Sequence, residues 1–207
     1  MNCIILSAGH ITDYESMKRY LHEGDYIVAA DGGYRHLTGL GIKCDYFIGD
    51  FDSYSDVPDC EWEKYPTEKD DTDTMLAIKH GLLKGLDRFV IFGGLGGRLD
   101  HTVANFSALE YLKAHGSCGV LVDERTAVRL LGVGDRFVPI LHGGYFSVFP
   151  FGCASAVVSI RGVKYPIRRQ RLTSDFPLGV SNRITDEASF EMQIHEGKVL
   201  VMECQKD

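Results

Sequence analysis

Short apolar runs alternate with helical patterns through the first 128 residues, and this alternation restricts the fold more than any other feature of the sequence. Each apolar run is of strand length and ends near Gly or Asp, and each helical pattern ends near the next Gly. Strands that alternate with helices are typical of a doubly wound, mostly parallel sheet. The predicted strands are 3–8, 26–30, 46–48, 88–92 and 120–122, and the predicted helices are 12–23, 34–40, 72–84 and 100–115. Thr12 and Thr72 are the expected N-caps of the first and third helices, and Trp62 is expected in a loop. One face of the fourth helix is expected to carry Val103, Phe106, Leu109 and Leu112.

The pattern changes at about residue 127 to short strands separated by glycine turns. We therefore predict an α/β domain over residues 1–128, followed by a smaller all-β sandwich domain over 129–207. The charge is also divided: residues 1–128 carry 12 basic and 21 acidic side chains, and 129–207 carry 10 and 8. The predicted strands of the second domain are 127–131, 136–140, 145–150, 154–160 and 163–167, then a hairpin of 189–195 and 198–203 around Glu196-Gly197.

Composition excludes several classes of protein. The formal net charge of −7 and the lack of a basic run with interleaved aromatic residues argue against a nucleic-acid partner. The six cysteines are far apart, without a Cys-x-x-Cys pair, which is typical of reduced thiols in a cytoplasmic protein. The N-terminus has neither a basic region nor a long apolar segment, so we expect no signal peptide and no membrane span.

Two dense acidic clusters predict a metal site. Residues 45–73 contain eleven acids but only two basic residues, Lys64 and Lys69. At an effective dielectric of about 20, two carboxylates about 4 Å apart repel each other by roughly 4 kcal/mol. A hard cation with oxygen ligands reverses the sign of that interaction, so we predict a Mg²⁺ site that presents a phosphate group. The clusters are 49–53 (Gly-Asp-Phe-Asp-Ser) and 69–73 (Lys-Asp-Asp-Thr-Asp).

Several polar residues follow predicted strands or begin the next helix. In an open parallel sheet this edge is where ligands bind, so we expect these side chains to meet at one rim. Asp is also a common helix cap and turn residue, which is the alternative for any single one of them. The residues are Asp31, Asp50, Asp52, Asp73, Arg98 and Asp100.

Two glycine-rich loops could let the main chain approach a phosphate closely, namely Gly32-Gly33 and 93–97. Their spacing matches neither the Rossmann fingerprint nor a Walker A loop, and glycines are also ordinary turn residues. Lys69 and Arg98 either balance local charge or neutralise phosphoryl oxygens. His101 either orients a ligand or is an ordinary helix-start histidine.

With these residues assembled, the sequence closely resembles the thiamine pyrophosphokinase family of the bacterial type. Five segments carry the resemblance, in the order and at spacings similar to the family's, and they extend over nearly the whole chain. The segments are 31–33, 49–53, 66–73, 93–101 (Gly-Gly-Leu-Gly-Gly-Arg-Leu-Asp-His) and 179–182 (Gly-Val-Ser-Asn).

The resemblance implies an enzyme that transfers the β,γ-pyrophosphoryl group of ATP to the hydroxyl of thiamine, releasing AMP, with Mg²⁺ as cofactor. It implies a catalytic first domain that binds ATP and Mg²⁺, a thiamine-binding second domain, and a homodimer with the active site near the subunit interface. The implied metal ligands are Asp50, Asp52 and Asp73, and the implied catalytic residues are Asp52, Asp73, Arg98 and Asp100. The implied ATP-binding residues are Asp31, Gly32, Gly33, Lys69, Thr72, Gly93, Gly94, Arg98 and His101.

For thiamine, the resemblance implies contacts from Asp100, Ser181 and Asn182. Many relatives carry a tryptophan in the second domain, whereas residues 129–207 have none, so Phe176 or Tyr165 is expected to stack on the cationic heterocycle. A turn between strands is the alternative for Ser181 and Asn182. Two other functions remain open: a Mg²⁺-dependent nucleotide pyrophosphohydrolase or transferase of another kind, and a non-enzymatic sensor of thiamine or nucleotide.

Overall fold

A computed structural model describes residues 1–49, 59–66, 70–141, 143–185 and 189–206. The chain divides into two compact units, Met1–Glu124 and Arg125–Asp207. None of the helices in these ranges is both long and apolar enough to cross a membrane.

The first unit contains a parallel sheet of six strands in the order β4-β3-β2-β1-β5-β6. Its central strands are buried, which explains why they are continuous apolar runs and do not alternate with polar residues. The strands are β1 (Cys3–Leu6), β2 (Tyr26–Ala30), β3 (Tyr46–Gly49), β4 (Glu61–Lys64), β5 (Arg88–Phe92) and β6 (Cys118–Val122).

The helices of this unit are α1 (Tyr14–Met17), α2 (His36–Leu40), α3 (Asp73–Leu83) and α4 (Leu99–Ala114), with 3-10 turns at Lys18–Tyr20 and Asp31–Arg35. The chain builds the sheet outward from β1 through β2, β3 and β4, then returns to the other side of β1 with β5. Strand order therefore reverses between β1 and β5, and the crevice at the carboxyl ends of these two strands is where such a sheet binds ligands.

Three sequence expectations in the first unit were wrong in detail. Asp13 caps α1 by accepting the N–H of Ser16 at 3.1 Å, because the side chain of Thr12 is engaged with Glu124. Trp62, expected in a loop, lies on β4, an exposed edge strand that has no apolar pattern because it buries no face. On α4, Val103 is exposed, and Asn105 is among the buried residues.

The second unit is built from two antiparallel sheets, which confirms the predicted fold class of a mostly parallel sheet followed by an all-β domain. Within this unit β7, β12 and β8 pair in that order, and the other sheet has the order β10-β9-β11. A buried apolar cluster, which includes Phe146, Val158 and Val199, draws residues from both sheets. The strands are β7 (Thr126–Gly132), β8 (Tyr145–Pro150), β9 (Ser155–Arg161), β10 (Ile167–Thr173), β11 (Glu191–Glu196) and β12 (Lys198–Cys204).

The predicted strand at 136–140 is not formed. The buried carboxylate of Glu203 accepts the N–H groups of Ile140 at 2.7 Å and Leu141 at 3.0 Å, and it pairs with Arg129. The side chain of Glu203 therefore accepts the main-chain hydrogen bonds that carbonyl groups of a neighbouring strand would otherwise have accepted. Phe137 is buried in the apolar cluster without belonging to a strand, which explains the strand-like sequence pattern.

The predicted hairpin around Glu196-Gly197 is also wrong, because its two strands join different sheets. β11 pairs with β9, whereas β12 pairs with β7 and β8. Gly197 allows the crossing: its φ is +76°, and a Cβ there would lie 2.6 Å from the carbonyl oxygen of Ser155. The strand expected at 163–167 lies later, at β10, where four polar residues hide the strand pattern.

Candidate active site

A cavity of about 540 Å³ lies in the first unit at the carboxyl ends of β1 and β5. The loop after β1 forms one wall with Ser7 to His10, and the glycine loop after β5 forms another with Gly93 to Arg98. The remaining walls of the cavity are formed by the start of α3, the start of α4, and Asp31, which follows β2. The cavity therefore occupies the crevice where strand order reverses, as the position of β1 between β2 and β5 requires.

The main chain of the two loops is closely packed because glycine stands at the points of contact. The N–H of Gly9 donates to the carbonyl of Gly93 at 3.0 Å, and a Cβ on Gly9 would lie 2.2 Å from that oxygen. Gly93 has φ +65° and would bring its own Cβ to 2.4 Å from the carbonyl oxygen of Ser7. Asn105 of α4 holds the loop after β5 in place by donating to the carbonyl of Gly94 at 2.8 Å. Any larger residue at Gly9 or Gly93 would separate the two walls.

The start of α3 presents two carboxylates to the cavity. Thr72 caps the helix by accepting the N–H of Met75 at 3.2 Å, as the sequence predicted, and Asp73 occupies the first turn. Asp71 also lines the cavity, but Lys79 pairs with it at 2.6 Å. A helix N-terminus favours negative charge, so the start of α3 can stabilise these acids or an anionic ligand.

Arg98 and Asp100 form an exposed pair at the start of α4. Arg98 Nη2 lies 2.6 Å from Asp100 Oδ2, and Arg98 Nε donates to Oδ1 at 3.2 Å. This pairing raises the pKa of Arg98 and lowers the pKa of Asp100. Because both side chains are largely in water, the pair contributes little to stability. Arg98 can therefore leave Asp100 and bind another anion with little loss of free energy.

His36 holds the loop after β1 in place. Its Nε2 lies 2.8 Å from the carbonyl oxygen of Gly9, which can only accept, so Nε2 carries the proton. Nδ1 then accepts from the hydroxyl of Tyr14 at 2.9 Å. Burial lowers the pKa of His36, which keeps this neutral tautomer. The cavity wall at Gly9 thus depends on an uncharged histidine behind it.

Glu124 anchors the same loop from the other side. Its carboxylate accepts the N–H and the hydroxyl of Thr12 and the N–H of Asp13. Desolvation acts to raise the pKa of Glu124, but these hydrogen bonds, with one from its own main chain, outweigh it and the pKa is lowered. Glu124 is therefore held as a carboxylate that satisfies main-chain donors before α1.

The structure brings together many of the residues that the sequence singled out in the first unit. Gly32 and Gly33 follow Asp31 and are buried, and a Cβ on Gly33 would lie 1.8 Å from the carbonyl oxygen of Leu6. Asp100 lies on the surface beside Arg98. Asp50, Asp52 and Lys69 lie outside the described residues. The predicted site residues that line the cavity are Asp31, Thr72, Asp73, Gly93, Gly94, Arg98 and His101.

Sequence reasoning did not identify several other residues of the cavity. The loop Ser7 to His10 has no acidic or basic side chain except His10, and its only signal was its place after the first strand. Asn105 was hidden because it stands well inside a helix, away from its start. Ser7 and Thr74 share a buried hydrogen bond of 2.8 Å that joins β1 to α3, a contact across 67 residues that no local pattern reveals.

In the second unit, Asn182 lines an apolar cavity of about 260 Å³ with Tyr165 and Val180. The Asn182 amide accepts the N–H of Tyr165 at 3.1 Å and donates to its carbonyl at 2.8 Å. Ser181 has φ +58°, and its N–H donates to Ser147 at 3.0 Å. The Asn182 side chain thus ties its own loop to Tyr165, while Phe176 is exposed and does not line this cavity.

The donors around the first cavity are of the type that Mg²⁺ prefers. Asp31, Asp71 and Asp73 supply carboxylate oxygens, and no cysteine is among the described residues of the cavity wall. Asp31 has φ +46°, a strained main-chain conformation of the kind found at ligand sites. Within the described ranges, no group of three or more Asp, Glu, His or Cys side chains is close enough to hold a metal ion by itself. The donor chemistry fits Mg²⁺, and a complete ligand set needs further oxygens.

An α/β unit with a polar cavity at the strand-order reversal of its parallel sheet has the general form of proteins that bind ligands in this crevice. Residues 17–120 match the family model of the thiamin pyrophosphokinase catalytic domain, and residues 136–199 match that of the thiamin pyrophosphokinase vitamin B1 binding domain. The chain belongs to the thiamin pyrophosphokinase family, whose members are kinases.

Individual relatives agree with this assignment. Thiamine pyrophosphokinase of Bacillus subtilis (strain 168) is 29% identical over 174 residues, which are 80% of this chain and 81% of that protein. A crystal structure of thiamine pyrophosphokinase from Bacillus subtilis has a TM-score of 0.87 at 24% identity and covers 100% of both chains. Thiamin pyrophosphokinase from Candida albicans has a TM-score of 0.76 at 18% identity, over 99% of this chain and 89% of that one. The two solved structures share the fold.

Proposed function

We propose that this protein transfers the β,γ-pyrophosphoryl group of ATP to the hydroxyl of thiamine, giving thiamine diphosphate and AMP. The observation that carries the proposal is the first cavity, where glycine main chain, two helix starts and several carboxylates meet in a chain of this family. The oxygen of thiamine's hydroxyl attacks the β-phosphorus. The bond from that phosphorus to the bridging oxygen of AMP breaks, AMP leaves with the electron pair, and the hydroxyl proton is released.

In this proposal the first unit is the catalytic domain and binds ATP. The main chain at Gly93 and Gly94 and the start of α3 at Thr72 receive the phosphates, since exposed N–H groups at such places favour anions. Asp31 with Gly32 and Gly33 shapes the pocket, His101 orients the nucleotide, and Lys69 contacts the phosphates. Arg98 leaves Asp100 for the phosphoryl oxygens, which frees the Asp100 carboxylate for the thiamine hydroxyl.

The proposed metal ligands are Asp50, Asp52 and Asp73, of which Asp73 lines the cavity. When bound, Mg²⁺ supplies positive charge that offsets the charge on the phosphate oxygens. Asp73 stands in the first turn of α3, a position next to the positive end of the helix dipole. Since phosphoryl transfer needs little base strength, the residues around the cavity act by position and charge.

We assign thiamine binding to the second unit, with the domains divided near residue 128. Ser181, beside Asn182 and Tyr165, is proposed to contact the vitamin, and Tyr165 is favoured over Phe176 for stacking because it lines the apolar cavity. Asn182 acts by holding the Tyr165 loop. A homodimer with the active site near the subunit interface completes the proposal, and light scattering should give twice 23.0 kDa. All six cysteines are free thiols, which supports a cytoplasmic location.

The first experiment incubates the protein with ATP, MgCl₂ and thiamine and measures AMP and thiamine diphosphate by chromatography. The proposal expects the two products in equal amounts, and neither without thiamine or without MgCl₂. AMP released at the same rate without thiamine would instead assign a nucleotide pyrophosphohydrolase. If a titration calorimeter showed that the protein binds thiamine but no product formed, the protein would be a thiamine sensor and not an enzyme.

The second experiment separates the two carboxylates at the start of α3. Asp73→Asn should lower kcat/KM by roughly 100- to 1,000-fold, because it removes a charge aimed at the metal and phosphates. Asp71→Asn is the matched control: Asp71 faces the same cavity but is neutralised by Lys79, so we expect less than about a tenfold loss. Equal activities of the two variants would remove Asp73 from the mechanism. Thermal unfolding of both variants checks that neither change acts through the fold.

A further inference from the structure

An open cavity of about 660 Å³ lies on the β10-β9-β11 sheet of the second unit. It is separate from the 540 Å³ cavity, whose walls come from the first unit alone. No carboxylate is found among its described wall residues. Polar and basic side chains line it, namely Ser159, Arg161, Arg168, Arg169, Gln193 and His195.

Hydrogen bonds inside this cavity determine which atoms remain free to bind a ligand. Arg169 Nη1 lies 3.3 Å from His195 Nδ1, and arginine can only donate, so Nδ1 is the acceptor and the proton is on Nε2. His195 Nε2 then donates to Ser159 Oγ at 2.8 Å, and that oxygen also accepts the main-chain N–H of Arg169 at 2.9 Å. Because Ser159 Oγ accepts twice, its own O–H is left to donate to something else.

The same tautomer excludes one function. In a hydrolytic dyad the histidine ring takes the proton from serine, and its other nitrogen donates to a carboxylate. Here the nitrogen facing Ser159 already carries the proton, and the other nitrogen faces a guanidinium. The arrangement therefore offers donors without a base, which suits binding an anion and does not suit hydrolysis.

The main chain at Arg169 is strained. Among the described residues only three besides glycine have positive φ: Asp31 at +46°, Ser181 at +58° and Arg169 at +43°. Asp31 lies in the proposed ATP cavity and Ser181 in the proposed thiamine site, and Arg169 stands at a register shift of β10. An L-residue in this conformation is costly and is commonly retained for a ligand. In this conformation the guanidinium of Arg169 contacts His195, and the main-chain N–H of Arg169 donates to Ser159.

The cavity also carries unbalanced positive charge. Arg161 pairs with Glu191 at 3.6 Å, and Arg171, on the same sheet, pairs with Glu196 at 2.8 Å. Within the part of the chain that the structure describes, Arg168 and Arg169 have no such carboxylate partner. Guanidinium groups bind phosphate oxygens through paired N–H donors, and they do so better than they bind a single small halide.

We propose that this cavity, at Arg168, Arg169 and Ser159, binds a small multiply charged phosphate anion, either a free oligophosphate or the phosphate chain of a nucleotide. The donors converge on one cavity, which fits a compact ligand better than a polymer. The site goes beyond the proposed reaction, since none of its residues is assigned to the binding of ATP or of thiamine.

The test titrates full-length protein with sodium triphosphate in a calorimeter at low salt, then with ATP and with a short single-stranded oligonucleotide. Arg168→Gln combined with Arg169→Gly should lose one binding event per chain, or weaken it at least tenfold. The matched control combines Arg88→Gln with Arg136→Gln, which removes the same charge from exposed arginines elsewhere and should match the wild-type isotherm. If the double variant loses binding of triphosphate but not of ATP, the ligand of this cavity is a free oligophosphate. If it loses binding of both, the cavity binds phosphate chains in general, including that of a nucleotide.

Two further variants test the geometry. Ser159→Ala should weaken triphosphate binding several-fold, whereas Ser155→Ala, four residues earlier on β9, should not. Arg169→Gly alone should keep or raise the unfolding midpoint, because glycine adopts φ +43° without strain. The proposal is overturned if the double variant and its control bind triphosphate equally, if only the oligonucleotide distinguishes them, or if Arg169→Gly unfolds at a markedly lower temperature.

Discussion

The 540 Å³ cavity of the first unit and the 660 Å³ cavity of the second unit are built from different parts of the chain. In the first unit, main-chain groups at Gly9 and Gly93 and two helix starts form walls, and three carboxylates, those of Asp31, Asp71 and Asp73, are among the side chains. In the second unit, the cavity on the β10-β9-β11 sheet is formed by serine, histidine and arginine side chains. In our proposals the first cavity takes a metal with a nucleotide, and the second takes an anion without a metal.

The difference follows from the two kinds of sheet. A parallel sheet with crossover helices leaves main-chain N–H groups unpaired at the carboxyl edge, so ligand donors come with the fold. An antiparallel sheet uses its N–H and C=O groups in pairing between strands, so a site on its face has to be made from side chains. The second unit therefore depends more on individual polar side chains, and three substitutions can test that contrast.

The largest effect is expected at Glu203, which is 3% exposed in the second unit. Glu203→Ala should lower the free energy of unfolding by about 3–5 kcal/mol, because it leaves Arg129 and the N–H groups of Ile140 and Leu141 without their acceptor. Chemical denaturation measures the change. Glu196→Ala removes a carboxylate from an exposed pair in the same unit and should cost about 1 kcal/mol or less. Similar losses in both variants would contradict the proposed importance of side-chain acceptors here.

An intermediate effect is expected at Gly93 in the first unit. Gly93→Ala should cost roughly 2–3 kcal/mol of stability and lower activity, because it adds both strain at φ +65° and a Cβ placed 2.4 Å from Ser7 O. Gly97→Ala meets the same φ of +65° in open space, so only the strain of about 1 kcal/mol should appear. Denaturation of the pair isolates the packing contribution. If both variants lost the same stability, the close approach of Gly9 and Gly93 would not matter.

The smallest effect is expected at Glu124, where a side chain supports a loop of the first unit. Glu124→Gln should cost about 1 kcal/mol near neutral pH, because Gln keeps one acceptor but loses the charge. The pKa of Glu124 is lowered by folding, so its stabilisation is present above the unfolded pKa, near 4.5, and is lost as pH falls through the folded pKa.

Unfolding measured between pH 6.5 and pH 3 should therefore show the gap between wild type and Glu124→Gln closing at the acidic end. Glu15→Gln, which alters an exposed pair with Lys18, serves as the control and should cost less than about 0.5 kcal/mol. A gap that stayed constant down to pH 3 would mean that the charge of Glu124 is not what stabilises the loop.

The first unit could be predicted well from sequence because its parallel strands are buried on both faces. Strands β2 and β5 have the predicted bounds, and Thr72 caps α3 as expected, since burial and capping are local in sequence. The exposed edge strand β4 was missed because an edge without a buried face has no apolar signature. The second unit was harder, because Glu203 accepts N–H groups 62 and 63 residues away in the chain and replaces a strand pairing.

The sequence by itself determined the fold class, the order of the buried strands and of the helices in the first unit, and which acidic and glycine-rich loops follow its strands. These properties depend on burial, capping and turn formation, which act over a few neighbouring residues. Only the tertiary structure decided that β11 and β12 belong to different sheets, that Ser7 to His10 form a cavity wall, and that Arg169, Ser159 and His195 meet. The physical reason is that pairing and side-chain contacts between distant segments depend on how strands are arranged in space, which no local pattern specifies.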